Sequence, residues 1–115
     1  MKRMNASSVG VDSGEAVLFS DFQDGGEMWT GKGQRERRNS IRFATPYRDI
    51  PTVHTSLALW DVDNATVMRA DLRAENLTHE GFELVFRTWG DTRIARVRAS
   101  WMAIGPLSPQ DDWEL

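Results

Sequence analysis

The run Met68-Arg69-Ala70-Asp71-Leu72-Arg73-Ala74-Glu75-Asn76 decides the fold class. Met68, Ala70, Leu72 and Ala74 fall on one side of an extended chain, and Arg69, Asp71, Arg73 and Glu75 fall on the other. A period of two marks a strand with one dry and one wet face, because successive side chains of extended backbone point in opposite directions. Downstream, residues 82–89 repeat the pattern, with Phe82, Leu84 and Phe86 on one face and Glu83, Val85, Arg87 and Trp89 on the other. A last run places Val97, Ala99, Trp101 and Ala103 together, opposite Arg96 and Arg98.

The upstream half reads in the same way. Residues 9–19 form an opening strand, interrupted at Ser13-Gly14. Asp24-Gly25-Gly26 and Gly31-Lys32-Gly33 bound a long loop that contains Trp29. Residues 37–43 are a strand stopped by Pro46 and Pro51, and residues 52–61 are another, turned by Asp61-Val62-Asp63-Asn64. Six strands, Gly- and Pro-rich turns and no long helical period predict an all-β fold, a six-stranded antiparallel β-sandwich. We expect a flexible start over 1–8, one domain over 9–105 and an irregular tail over 106–115. There is no internal repeat.

Composition narrows the function. At 115 residues the chain is one domain, and its apolar (40%) and charged (27%) shares are those of a globular protein. A net charge of −3 argues against general nucleic-acid binding, which favours basic surfaces. With no Cys there is no disulfide framework or thiolate metal site. The basic N-terminus, Lys2 and Arg3, has no apolar run behind it, so no secretory signal is expected. No segment approaches the roughly 20 apolar residues that span a bilayer, so neither is membrane insertion. Synthesis in the cytoplasm is the expectation, with the place of action open.

The turn Thr88-Trp89-Gly90-Asp91-Thr92 joins two alternating runs. It sets a flat ring and a carboxylate at the rim of a sheet, a pair suited to holding a polar, partly flat ligand such as a sugar. Other candidates are thinner. Asp61-Val62-Asp63-Asn64 starts like a calcium loop but lacks the later Gly and bidentate Glu. His54 and His79 have no nucleophile or ligand cluster, so neither catalysis nor a metal or other cofactor is expected. Gln34-Arg35-Glu36-Arg37-Arg38 reads as a solvated strand face. Asn64-Ala65-Thr66 and Asn76-Leu77-Thr78 have the form of glycosylation acceptors and are read as chance matches.

Several stretches together resemble the H-type lectins, the family of snail agglutinins and of the discoidin C-terminal domain. They are Ile41-Arg42-Phe43-Ala44-Thr45-Pro46-Tyr47, the run 51–61, the Arg69…Arg73 spacing, Asn76-Leu77-Thr78-His79-Glu80-Gly81-Phe82, Thr88-Trp89-Gly90-Asp91-Thr92 and Ser100-Trp101-Met102-Ala103-Ile104. The likeness runs from about Trp29 to Gly105. It implies a homotrimer that binds galactose or N-acetylgalactosamine in clefts between subunits, with no catalytic machinery.

By that resemblance Arg73 matches the arginine that grips sugar hydroxyls, with a rung in a salt ladder as its other reading. Trp89 matches the turn tryptophan, a cleft wall or else a core ring. Asp91 accepts either sugar hydroxyls or the donors of its own turn. The chain also departs from the agglutinins. Gly90 stands where some have histidine, and Ala95 where a neighbouring protomer contributes an aromatic. Lys32, Gly33 and Gln34 occupy the loop that supplies an aspartate, and Lys32 would suit an acidic polysaccharide. The charges Arg69, Asp71, Arg73, Glu75, Glu83, Arg87, Arg96 and Arg98 read as one polar face pairing across subunits near a three-fold axis. The candidate site is therefore Arg73, Trp89, Gly90, Asp91 and Lys32, in a protein that attaches to glycans. The alternative is a trimeric spike or fibre component of a phage-like particle, with the acid-flanked Trp113 of the tail as a docking peptide.

Overall fold

The computed structural model describes residues 1–109, so the docking expectation for Trp113 lies outside them. The chain order is β1 (Val9–Phe19), α1 (Asp21–Asp24), α2 (Glu27–Thr30), β2 (Arg35–Arg42), β3 (Thr52–Val62), β4 (Asp71–Glu75), β5 (Gly81–Thr88) and β6 (Ile94–Pro106). Two three-stranded sheets form, ordered β1-β6-β3 and β2-β5-β4, and every pairing is antiparallel. The six expected strands and the two-layer plan are present.

The dry faces found in the sequence meet between the sheets. Phe82, Leu84 and Phe86 of β5 oppose Val97, Ala99, Trp101 and Ala103 of β6, all buried in one core cluster. Phe43 brings its ring within 5.1 Å of Tyr47, 5.7 Å of Phe82 and 6.1 Å of Trp101. Burial of each large apolar side chain contributes roughly 1.5–3 kcal/mol.

Four expectations are corrected. First, the loop around Trp29 contains two helices. Each has four residues, too few for a helical period to show, and a glycine follows each: Gly25 and Gly31. Second, β1 runs through Ser13-Gly14 without a break. Gly14 is needed there because a Cβ would stand 2.9 Å from Nε1 of Trp101, its partner in register. Third, the polar residues of β4, β5 and β6 do not share a face, because the chain crosses to the other sheet between β5 and β6. Arg96 and Arg98 therefore pair with Asp61 and Glu15 on the β1-β6-β3 sheet. Fourth, the 34–38 run is not a simple solvated face, since Arg35 is only 5% exposed.

Arg35 begins β2 and reaches beneath the loop. Its Nε donates to the Gly33 carbonyl at 3.0 Å, and Nη1 donates to those of Glu27 and Met28 at 3.3 and 3.2 Å. Nη2 donates to the Gly90 carbonyl at 3.2 Å. Asp21, also buried, accepts the Met28 N–H and is gripped by both terminal nitrogens of Arg37. Two short helices that could not stand alone in water are thus fixed by buried charged side chains.

Arg35→Ala should strand those carbonyls and cost about 3 kcal/mol or more. Urea unfolding measures this. Arg35→Lys should recover only part of it, because an ammonium lacks the fork that reaches both the helix and the turn.

Candidate functional site

The outer face of the β2-β5-β4 sheet carries the charges. Arg87 on the central strand donates from Nη1 to Glu75 at 2.6 Å and pairs through Nε with Glu36 at 2.9 Å. Arg38 pairs with Glu36 at 2.8 Å, Glu75 at 3.4 Å and Glu83 at 3.6 Å. Val85 has no exposed surface at the centre of this face, and its partners in register are Arg38 and Arg73. The arginine stems can cover it while their heads stay in water. Opposite charges on adjacent strands make a network within one chain, so these side chains have partners before any second copy is considered.

At one end of this face lies a cleft of about 730 Å³, lined by Gln34, Arg35, Glu36, Asp71, Arg73, Arg87, Thr88 and Trp89. That volume is within the range of about 300–1,000 Å³ typical of small-ligand sites. Trp89, at the end of β5, is 44% exposed. Arg73 projects from β4, largely exposed, with Nε donating to Asp71 at 2.9 Å. The cleft therefore offers a flat apolar wall, an exposed guanidinium and carboxylate acceptors.

Two of the five candidate residues, Arg73 and Trp89, line this cleft. Gly90, Asp91 and Lys32 do not, and they gather around the turn beside it. The Gly90 carbonyl accepts from the Gly33 backbone at 2.9 Å, next to Lys32. Asp91 accepts from Arg69 Nη1 at 2.6 Å. That hydrogen bond, with the Arg69 charge and a smaller effect of Lys32, holds the Asp91 carboxyl below its ordinary value despite partial desolvation. Arg69 also donates to the Thr92 hydroxyl at 3.1 Å, so the arginine that grips the turn is Arg69.

Gly90 has φ +70°, and a Cβ there would stand 3.1 Å from Arg69 Nη1. Backbone geometry and crowding together explain why this turn carries no side chain at that position. Sequence reasoning did not assign Gln34, Arg35, Glu36, Asp71, Arg87 and Thr88 to the cleft, nor Arg69 to the turn beside it. Asp71, Arg87 and Arg69 were visible as polar alternation, but which strand ends converge was not.

Glu36 and Glu75 are also held below the ordinary carboxylate value, Glu36 first by hydrogen bonding to Arg38 and Glu75 first by hydrogen bonding to Arg87. A carboxylate with a depressed folded pKa contributes stability above its unfolded pKa and loses it as pH falls through the folded value. Thermal unfolding should therefore change little while the pH stays above the ordinary carboxylate range and fall as the pH drops through that range and below it. Glu75→Gln should lower the plateau and flatten the acid slope.

With this geometry in view, comparisons with known proteins place the chain. The model of the H-type lectin domain matches residues 38–104. The chain is 54% identical over 115 residues, 100% of itself and 99% of the relative, to "ATP synthase subunits region ORF 7" of Fuscovulum blasticum. It is 31% identical over 75 residues to a discoidin-1 chain of Dictyostelium discoideum, 64% of this chain and 30% of that one. The wild-type discoidin II structure from the same organism superposes with a TM-score of 0.74 at 23% identity, covering 90% of this chain and 39% of discoidin II. This last likeness is one of fold. A lectin-like sandwich, with an aromatic and an arginine lining one cleft and a family model spanning both strands that carry them, gives one conclusion: the chain belongs to the H-type lectin domain family.

Proposed function

We propose that this protein binds carbohydrate and works as a homotrimer, with Arg73 and Trp89 contacting the sugar directly. The observation that carries the reading is the cleft they share. The exposed Trp89 ring would cover an apolar sugar face, and Arg73 and Asp71 would bond hydroxyls beside it. Asp91, held by Arg69, and Gly90, whose carbonyl is taken by Arg35 and Gly33, shape the cleft rim. Lys32 is exposed next to that rim and would draw an acidic polysaccharide. The resemblance favours galactose or N-acetylgalactosamine. Each site is open and weak, so attachment to a glycan-covered surface rests on several sites engaging together.

Isothermal titration against galactose, N-acetylgalactosamine and a polygalacturonate fragment tests this. Arg73→Ala should weaken binding roughly ten- to hundredfold, the loss of a charged hydrogen bond of about 1.5–3 kcal/mol. Sedimentation of that variant should still give three times the chain mass. Absence of heat with all three ligands would end the proposal, and dissociation of the Arg73→Ala trimer would make Arg73 structural. Lys32→Ala should weaken only polygalacturonate, by a margin that shrinks as salt rises.

A further inference from the structure

Thr88 and Thr92, which close the turn at its two ends, are both buried, at 1% and 0% exposure. A buried hydroxyl needs a partner, and both find theirs on one short stretch of backbone outside the turn. Thr88 Oγ1 donates to the Arg69 carbonyl at 2.5 Å, and Thr92 Oγ1 donates to the Val67 carbonyl at 2.6 Å. One residue further on, the Arg93 N–H donates to Thr66 Oγ1 at 3.3 Å. Residues 66–69 therefore pin both ends of the turn.

Between those ends Trp89, Gly90 and Asp91 arch outward, all three exposed. The Arg69 side chain crosses from the pinned base to the crown of this arch. Its Nη1 donates to Asp91 at 2.6 Å and to the Thr92 hydroxyl at 3.1 Å. Nη1, Cζ and Nε would stand 3.1, 3.2 and 3.3 Å from a Cβ at Gly90, so the face of the guanidinium lies against the crown. The Gly90 carbonyl is taken by Arg35 and by the Gly33 N–H, which leaves Arg69 as the hold on the Asp91 side.

An ion pair with side chains 30% and 65% exposed adds little to the stability of the whole domain. Its effect is local, because an exposed arch with few apolar contacts opens more readily than the core beneath it. Arg69 does not line the cleft, whereas Trp89 does. We infer that Arg69 is a positioning residue, one that holds the arch in the geometry that keeps the Trp89 ring at the cleft. The inference rests on that cleft binding carbohydrate.

A double-mutant cycle on N-acetylgalactosamine affinity, read by isothermal titration, tests it with Arg69→Ala, Trp89→Ala and the pair. Arg69→Ala should weaken binding about two- to tenfold, no more than the loss of the ring contact itself. In the Trp89→Ala background it should cost nothing further. In the free 15N-labelled protein, the heteronuclear NOE of the Trp89 indole, assigned by Trp89→Phe, should fall in Arg69→Ala while the urea midpoint stays near that of the wild type. Asp91→Asn, which keeps an acceptor for Arg69, should loosen the indole less than Asp91→Ala. Equal losses of affinity in both backgrounds would mean that Arg69 meets the sugar itself or supports the whole domain, and would overturn the inference. So would full affinity in Trp89→Ala, or an indole as ordered in Arg69→Ala as in the wild type. No heat with the wild-type protein would remove the carbohydrate reading instead, and the indole measurement would still decide whether Arg69 orders the turn.

Discussion

The site end of the molecule is built around the buried guanidinium of Arg35. A charge is costly to bury, and this one is stable because its N–H groups meet four backbone carbonyls. Those carbonyls belong to Gly33, to α2 and to the Gly90 turn, segments far apart in sequence. A single side chain thus fixes where the Trp89 ring sits relative to β2. The same contact explains how α2, four residues long, keeps its position without helical propensity to support it. Asp21 completes the device from within, since it binds the backbone of α2 and the Arg37 side chain of β2.

The two sheets divide the work. Their facing sides form the aromatic and aliphatic core, and the outer side of β2-β5-β4 carries an ion-pair network around a buried Val85. Pairs with this exposure contribute little stability each, and their value lies in fixing side-chain direction. Arg87 is held from both neighbouring strands, so it presents a fixed flank to the cleft rather than a roaming charge. Arg73 is held more lightly, through Nε to Asp71 of its own strand, and its side chain stays largely exposed at the cleft.

Much of the fold was legible because strands announce themselves by alternation. The dry faces of β4, β5 and β6 were read residue by residue, and they are the faces that meet the core. Sheet membership was not legible. Arg96 is on the polar side of its run as Arg87 is of its own, yet the crossing after the 88–92 turn puts the two on different sheets. Arg35 was misread for a related reason. A charged residue in a charged run looks solvated, and nothing local reveals that four carbonyls await it. At the site, Trp89 and Arg73 were identifiable from pattern and resemblance, whereas the grip of Arg69 on Asp91 joins positions 22 residues apart. The helices around Phe22 and Trp29 were hidden by their shortness.

The proposed sugar site stands on Trp89 and Arg73 forming one wall, held in place by Arg35 from beneath. A crystal structure of the protein soaked with N-acetylgalactosamine tests it most directly. The predicted result is a sugar ring against the Trp89 indole, with a hydroxyl within hydrogen-bond distance of the Arg73 guanidinium. Sugar density elsewhere on the surface, with this cleft filled only by water, would contradict it.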